Sequence, residues 1–388
     1  MKRTAILMAS LAVFSCAFSQ NLSKAEQNSL KAFVSQQSAK GMTNGQALGY
    51  QGGNLNQLPG ISVDANGHVT AIKWDKKDLA GSLDLSGFPN LTSVDVSDNK
   101  ITALSISNAP ALVSLNASKN RISDVNLVGV EQLQNVSLNK NRISEITFGA
   151  VPLLTKLNLS SNHLAAFDVS NAVNLVYLNV IGNDLEQLSV SGCQSLKTLY
   201  AGYNRLTDLQ LAGLSKLSVL NVQGNKIKNL YIENLPNLTS LACNDNHMVG
   251  LSVNNCGALS DVFAPYNDLT SFTVNNVNNL AFVNLEWNDL TQLTLSNQTF
   301  LQRLDVSYNQ LQMLDVTFDP MLRYLNISNN VNLTDLRTTG DNALTQVVGD
   351  WTGLNMQDPE NAMFNPAGPG PMPMGPGPVI DEDGMSVE

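Results

Sequence analysis

The chain contains few of the residues on which catalysis, nucleic-acid binding and disulfide scaffolds depend. It has three histidines and four cysteines in 388 residues, and only 14% of its residues are charged. No Ser/His/Asp grouping, His/Cys metal spacing or glycine-rich phosphate loop stands out, so we expect no catalysis, no cofactor and no metal. The 22 basic residues are spread thinly through a chain of net charge −10. That balance disfavours nucleic acids and anionic membranes as partners.

Long apolar runs are also missing beyond the first residues, which excludes a transmembrane helix there. At the start, two basic residues precede an apolar run from Ala5 to Phe14, a pattern typical of a secretory signal over residues 1–19. Cleavage after Ser19 would leave Gln20 as the first residue. A degenerate lipobox that ends at Cys16 is the alternative and would add a lipid anchor. Either reading predicts a secreted protein or one on the outer cell surface.

An asparagine recurs at an unbroken spacing of 21 residues, and a leucine stands eight residues before each one. Self-similarity at such a period is typical of a solenoid, in which every repeat forms one coil stacked on the next. The asparagines are Asn99, Asn120, Asn141, Asn162, Asn183, Asn204, Asn225, Asn246, Asn267, Asn288, Asn309 and Asn330.

Positions within a repeat are numbered from this asparagine, which is position 0. Apolar residues occupy −8, −5 and −3 and again +2, +5 and +7, for example Leu154, Leu157 and Leu159 in the first half. The alternation around −5 to −3 and around +5 to +7 predicts two short strands per coil, one on each side of an apolar core. A polar residue beside buried ones needs hydrogen bonds. We therefore expect a structural ladder in which each asparagine bonds the backbone of its own coil and the next.

The segment from Leu322 to Asn330, LRYLNISNN, matches the signature LxxLxLxxN, and the chain here resembles the leucine-rich repeat family. A second LxxLxL half within 21 residues resembles a subclass found mostly in bacteria. The resemblance implies a solenoid of about 13 coils over residues 67–340, with short strands on both broad faces. It also implies a binding module, since the family hosts adhesins, receptors, inhibitors and scaffolds.

The segments outside the solenoid have their own patterns. Residues 20–66 form an N-terminal cap with one helix, which the capping-box pair Ser23 and Glu26 opens. Residues 341–364 form a C-terminal cap in which the repeat fades. Residues 365–388 are rich in Pro, Gly and Met and end in acids, a composition that predicts a disordered tail.

Three cysteines follow the signal segment. Cys193 and Cys256 share position +10 but lie three coils apart, which is too far for a disulfide. Buried free thiols are one reading of all three cysteines. A bridge between Cys243 and Cys256 within one coil is the other, and an oxidising compartment would permit it.

Aromatic residues concentrate on one face of the coils, at the outward positions −6, −4 and −1 from the fifth repeat onward. Aromatic side chains and arginine dominate binding hot spots, so we predict a partner-binding surface there. The alternative is that Tyr and Phe are simply good strand residues. The predicted surface comprises Tyr177, Tyr200, Tyr203, Phe263, Tyr266, Phe282, Trp287, Arg303, Tyr308 and Tyr324.

The sequence thus predicts a monomeric, secreted or surface-attached solenoid that binds a protein through this aromatic face. A glycan is the alternative ligand, because aromatic platforms also suit sugar rings. A structural spacer without a specific ligand is the third reading.

The position of the first residue tests the predicted secretion. We expect the intact mass of the native protein to correspond to a chain that begins at Gln20, or to one that begins at a lipid-modified Cys16. A native protein that retains Met1 to Ser19 would contradict both predictions.

Overall fold

A computed structural model describes residues 21–341, 343–349, 355–357 and 363–365 of the chain. The predicted solenoid is confirmed: about 13 turns stack with few helices. Each 21-residue repeat contributes one strand to a single long sheet. Most coils add a second strand on the opposite side.

The long sheet has sixteen strands, and all of its pairings are parallel except the first. Neighbouring strands pair in register at the 21-residue period, as Lys156 with Tyr177 and Tyr177 with Thr198. Inside the repeats the strands cover positions −6 to −4. The sixteen are Ile61–Val63, Val69–Lys73, Ser93–Asp95, Ser114–Asn116, Asn135–Ser137, Lys156–Asn158, Tyr177–Asn179, Thr198–Tyr200, Val219–Asn221, Ser240–Ala242, Asp261–Phe263, Phe282–Asn284, Arg303–Asp305, Tyr324–Asn326, Gln346–Val348 and Met363–Asn365.

The opposite side is divided into five short parallel sheets. Between the third and fourth of them, the coil of Asn204 has no strand on this side. The short sheets are Ala80–Asp84 with Lys100–Ser105; Asp124–Leu127 with Glu145–Phe148; Ala166–Asp168 with Gln187–Ser189; Tyr231–Glu233, Gly250–Asn254 and Ser271–Asn275; and Gln292–Thr294, Met313–Asp315, Asp335–Arg337 and Asn355–Gln357.

The N-terminal segment closes one end of the solenoid. Its helices are Lys24–Val34 and Asn44–Ala47, followed by a 3-10 turn at Leu55–Gln57. The predicted capping box of Ser23 and Glu26 is present at the first helix. Phe33 on that helix stacks on Trp74 at a centroid distance of 5.5 Å, which covers apolar surface that the first coil would otherwise expose.

The apolar core lies between the two sides. The leucines at −8 and the apolar residues at −5, −3 and +2 are almost completely buried along the whole solenoid. In the coil of Asn204, for example, Leu196, Leu199 and Leu206 have no exposed surface. Burial of apolar surface from every coil in one continuous core is the main stabilising contribution.

The asparagine side chains bond to the backbone of two coils. Asn204 Oδ1 accepts a hydrogen bond from the N–H of Leu185 at 3.0 Å. Its Nδ2 donates to the carbonyls of Val180 at 3.0 Å and Ala201 at 3.1 Å. The same pattern recurs from Asn120 to Asn330, and all twelve asparagines are buried. The second coil is the preceding one, so the expectation that it would be the next is wrong.

The described cysteines are free and buried, so the alternative of a Cys243–Cys256 disulfide is wrong. Complete burial raises the pKa of the Cys243 thiol to about 12, which makes it an inert core residue. The predicted signal segment and the tail from residue 366 onward lie outside the described residues, as does Cys16.

The ladder can be tested at a central coil. Replacing Asn204 by Leu leaves the N–H of Leu185 and two carbonyls without their partner, so the free energy of unfolding should fall by about 1–3 kcal/mol. Denaturant unfolding measures this loss. Gln210→Leu, at an exposed position of the same coil, is the control and should change little. Equal stability of the two variants would show that the asparagine is not structural.

Candidate recognition surface

The residue before each ladder asparagine has a left-handed backbone. Position −1 has a positive φ, between 52° and 65°, in all twelve repeats. The twelve residues are Asp98, Lys119, Lys140, Ser161, Gly182, Tyr203, Gly224, Asp245, Tyr266, Trp287, Tyr308 and Asn329. Gly, Asn and Asp tolerate this conformation, whereas it is strained for a bulky side chain. Four aromatic residues therefore occupy a position that the backbone disfavours for them.

Three of these aromatic residues form one stack just beyond the C-terminal ends of three strands of the long sheet. The ring centroids of Tyr266 and Trp287 are 5.9 Å apart, and those of Trp287 and Tyr308 are 4.0 Å apart. The planes are nearly parallel, at 14° and 7°. Each of the three residues is still 42–49% exposed. We call Tyr266, Trp287 and Tyr308 the aromatic stack.

Tyr203, the fourth aromatic residue at position −1, is 55% exposed and stands apart from the stack. Its ring lies against Gly224, where an added Cβ would be only 2.7 Å from Tyr203 Cδ1. Asp245 occupies position −1 in the coil between Gly224 and Tyr266. The structure thus separates Tyr203 from the stack by two coils.

Two of the predicted surface residues are buried, so the expectation that they would be exposed is wrong. Tyr200 is 1% exposed, and its register partners in the sheet are Asn179 and Asn221. Its ring packs edge-on against Tyr177 at 5.9 Å. Tyr324 is 9% exposed beneath Arg303, whose guanidinium lies 5.0 Å from the ring centroid.

The other predicted residues are half-buried in the strands. Phe282 and Arg303 are register partners at position −6, and Phe263 lies at −4 in the preceding coil. Tyr177 is also half-buried, and Lys156 Nζ lies 5.3 Å from its ring centroid. Phe263, Phe282 and Arg303 lie in the same three coils as the aromatic stack, whereas Tyr177 lies four coils before it.

Exposed aromatic residues also occur away from the long sheet. Tyr231 lies on the opposite side, and Phe300 and Phe318 lie in turns. Within the described part of the chain, none of these three has a ring partner. The aromatic stack differs from them because its members come from three successive coils.

Sequence reasoning missed a second ladder at position −4. In eight coils an Asp or Asn at −4 accepts a hydrogen bond from the N–H two residues later, as Asn158 does from Ser160 at 3.1 Å. This is an Asx turn that ends the strand. The repeated Asx-x-Ser triplets, such as Asn158-Leu-Ser160, were the sequence signal. The eight residues are Asp95, Asn116, Asn158, Asn179, Asn221, Asn284, Asp305 and Asn326.

Acidic groups surround the aromatic stack. Glu286 precedes Trp287 directly, and burial together with the nearby charge of Asp305 raises the pKa of its carboxyl. The charges of Glu286 and Asp245, after burial, help to raise the pKa of the Tyr266 hydroxyl. The early coils differ, because Lys76, Lys119 and Lys156 line a hollow of about 220 Å³ on the same sheet.

The described residues offer no grouping typical of a catalytic or metal centre. No cluster of three or more His, Cys, Asp or Glu among them could hold a metal ion. On the opposite side, a wide hollow of about 710 Å³ is lined by Asp168, Glu186, Asp208, Arg205 and Lys226. Arg205 there pairs with Asp184 at 2.6 Å. Over the same residues, no helix has the length and apolar character that a membrane crossing requires.

The effect of the aromatic stack on the free energy of unfolding can be measured at its central residue, Trp287. In Trp287→Gly, relief of the left-handed strain, about 1–2 kcal/mol, offsets the loss of stacking, about 0.5–1.5 kcal/mol. We therefore expect the free energy of unfolding to stay within about 1 kcal/mol of the wild-type value. Leu285→Ala in the same coil removes a fully buried side chain and should cost about 2–5 kcal/mol. A loss for Trp287→Gly as large as that of Leu285→Ala would show that the stack is structural.

Comparison with known proteins agrees with this architecture. Residues 89–107 match a family model described as Leucine Rich repeat. A leucine-rich repeat protein from Leptospira interrogans is 18% identical, covers 72% of this chain and 86% of its own, and has a TM-score of 0.54. The effector YopM from Yersinia pestis is 21% identical over 77% of this chain and 86% of its own, with a TM-score of 0.53.

An internalin from Listeria monocytogenes is also similar, at 21% identity over 72% of this chain and 86% of its own, with a TM-score of 0.51. No curated protein matches the chain in sequence. At these identities the solved structures show a shared fold and nothing more. The chain therefore contains a leucine-rich repeat match at residues 89–107 and shares the solenoid fold of these bacterial leucine-rich repeat proteins.

Proposed function

We propose that the chain is a non-catalytic binding module that recognises a protein through the aromatic stack and the adjoining strands of the long sheet. The leucine-rich repeat fold is typical of protein-interaction modules. The observation that carries the proposal is the exposure of three stacked rings at a strained backbone position. Strain of this kind persists where it serves a site, and exposed aromatic clusters mark interaction surfaces.

The orientation of the rings favours a protein over a glycan. Tyr266 and Tyr308 cover the two faces of the Trp287 ring. A sugar ring that binds by stacking needs an open aromatic face, whereas a tyrosine ring lies beside each face of the Trp287 ring. Ring edges, the Tyr hydroxyls and the indole N–H together suit the mixed apolar and polar surface of a protein.

The charge around the stack indicates the chemistry of the partner surface. Burial and then the charge of Asp305 raise the pKa of the Glu286 carboxyl, and Asp245 adds a third acid near Tyr266. A lysine or arginine from the partner would relieve this repulsion and could also contact the rings. We therefore expect a basic partner segment, and an association rate that falls as the salt concentration rises.

Secretion or attachment to the outer surface is part of the same proposal. Its support is the apolar, basic-flanked start of the sequence, together with the similarity of the fold to an internalin. The binding surface would then face proteins outside the cell that produces it.

The proposal predicts a loss of binding without a loss of folding. A pull-down with the wild-type protein first supplies a protein partner. We expect Trp287→Ala and Tyr308→Ala each to weaken binding to that partner by about 2 kcal/mol or more, because central aromatic residues dominate such interfaces. Titration calorimetry measures the affinity, and circular-dichroism melts show whether the fold is intact.

Asn116→Ala, on the same sheet in an early coil, is the matched control and should bind like the wild type. A glycan array probed with the purified wild-type protein separates the two ligand classes. Unchanged protein affinity in both aromatic variants would place the site elsewhere. Glycan binding that depends on Trp287 would favour the glycan alternative.

A further inference from the structure

Within the described part of the chain, three buried side-chain oxygen atoms near its C-terminal end have no hydrogen-bond partner. They are Gln298 Oε1, Asp319 Oδ2 and Asp341 Oδ2. Asp319 has no exposed surface, and Asp341 is 8% exposed. Carboxylate and carboxamide oxygens are acceptors only, so none of these three oxygens can donate to another while both acids are ionised. An unpaired buried charge is costly enough that a residue changes its protonation state instead.

The position of these residues in the repeat is apolar elsewhere. Gln298 and Asp319 lie at +10, and Asp341 is the equivalent residue after a one-residue shift of the frame. The nine preceding coils place apolar side chains there, all buried: Ala109, Val130, Val151, Ala172, Cys193, Leu214, Leu235, Cys256 and Val277. Three polar residues in successive coils thus replace a column of the core.

One oxygen of each acid is held by the backbone of the preceding coil. Asp319 Oδ1 accepts from the N–H of Gln298 at 2.6 Å, and Asp341 Oδ1 accepts from the N–H of Asp319 at 2.8 Å. These contacts fix the carboxyl planes, which leaves each Oδ2 directed into the interior. In other coils the backbone N–H at +10 donates to the carbonyl at +7 of the same coil, as Cys193 does to Val190. The N–H groups of Gln298 and Asp319 donate to the carboxyl oxygens instead.

The two cysteines at +10 show which backbone groups a side chain at this position can reach. The thiol of Cys193 donates to the carbonyl of Val169 in the preceding coil at 3.3 Å. The thiol of Cys256 donates to the carbonyl of Asn254 at 3.3 Å. Backbone carbonyl oxygens therefore lie within hydrogen-bonding reach of a polar side chain at this position. A carboxylate Oδ2 would repel them, whereas a carboxylic acid O–H can donate to them.

We propose that Asp319 and Asp341 are carried as neutral carboxylic acids in the folded protein, and that loss of their two protons opens the C-terminal coils. The protonated Oδ2 atoms supply the missing donors, and the cluster then carries no charge in the core. The stability of the C-terminal coils then depends on the protonation of these two acids.

The electrostatic surroundings act in the same direction. Burial, and then the charges of Asp341 and Asp315, raise the pKa of Asp319 to about 8. Burial and the charge of Asp315 raise the pKa of Asp341 to about 7. The charged groups on the neighbouring strands are Asp315, Asp335 and Arg337, and Arg337 contacts Asp335 at 2.7 Å and Asp315 at 3.7 Å.

The direction of the pH dependence follows from proton binding. Each carboxyl has a higher pKa in the folded chain than its ordinary value of 3.8, so the folded state binds more protons. The stabilisation is complete below about pH 3.8 and is lost as the pH rises through about 7 and 8. Each carboxyl changes the folding equilibrium by about tenfold per pH unit within that window.

Hydrogen exchange on the full chain tests the proposal. After correction for the intrinsic exchange rate, we expect the protection of residues 311–349 in the wild type to fall about tenfold or more between pH 6 and pH 8.5. The variant with both Asp319→Asn and Asp341→Asn keeps the shape and replaces each O–H by an N–H donor. Its protection should be independent of pH and at least as high as that of the wild type.

Asp268→Asn, which alters an exposed carboxylate, is the control and should retain the wild-type pH dependence. Wild-type protection that is the same at both pH values would overturn the proposal. Lower protection in the double variant at every pH would do the same, because it would show that a neutral donor at these two positions does not stabilise the C-terminal coils. If millimolar Ca²⁺ restores the protection of the wild type at pH 8.5 but not that of the double variant, the oxygens bind a metal rather than protons.

Discussion

The hydrogen bonds of one asparagine side chain per coil determine the turn that follows each of the twelve repeat strands of the long sheet, from Ser93–Asp95 to Tyr324–Asn326. At that turn the backbone leaves the sheet, and its N–H and C=O groups would be buried without partners. Each side chain accepts from one N–H of the preceding coil and donates to carbonyls of both coils, as Asn204 does with Leu185, Val180 and Ala201. The bonds between coils fix the 21-residue register, so an insertion in one coil would disturb the next.

The inward direction of the asparagine side chains also determines which residues face solvent beyond the strands of the long sheet. Because the asparagine points inward, the residue before it adopts a left-handed backbone and points outward in every repeat. Glycine, aspartate or asparagine would occupy that position at little cost, and several coils use them. Tyr266, Trp287 and Tyr308 occupy it in three successive coils, and the coil spacing is short enough for their rings to stack. The stacked and exposed rings at this strained position in three adjacent coils are the basis of the proposed binding surface.

Much of the fold could be predicted from the sequence, because the period, the leucine at −8 and the asparagine report directly on stacked coils. The side-chain surroundings were harder to predict. Alternation along a strand predicts which side of the sheet Tyr200 is on, but it does not show that Tyr200 is buried there and packs against Tyr177. The Asx turns at −4 are present in the sequence as Asx-x-Ser triplets. Position −4 is also an outward position of the strand, so the pattern alone does not separate a turn-forming side chain from an exposed one. Asp319 escaped notice because single polar residues at +10 look like ordinary turn residues until the structure shows their burial.

The central claim is that the aromatic edge of the long sheet contacts the partner, and site-specific photocrosslinking tests it most directly. A benzophenone side chain would replace Tyr308 in one sample and Tyr231, which is 67% exposed on the opposite side, in another. Both samples are irradiated with surface proteins of the native source. The account predicts a discrete crosslinked protein from position 308 that is absent from position 231. The same products from both positions, or products from position 231 alone, would contradict it.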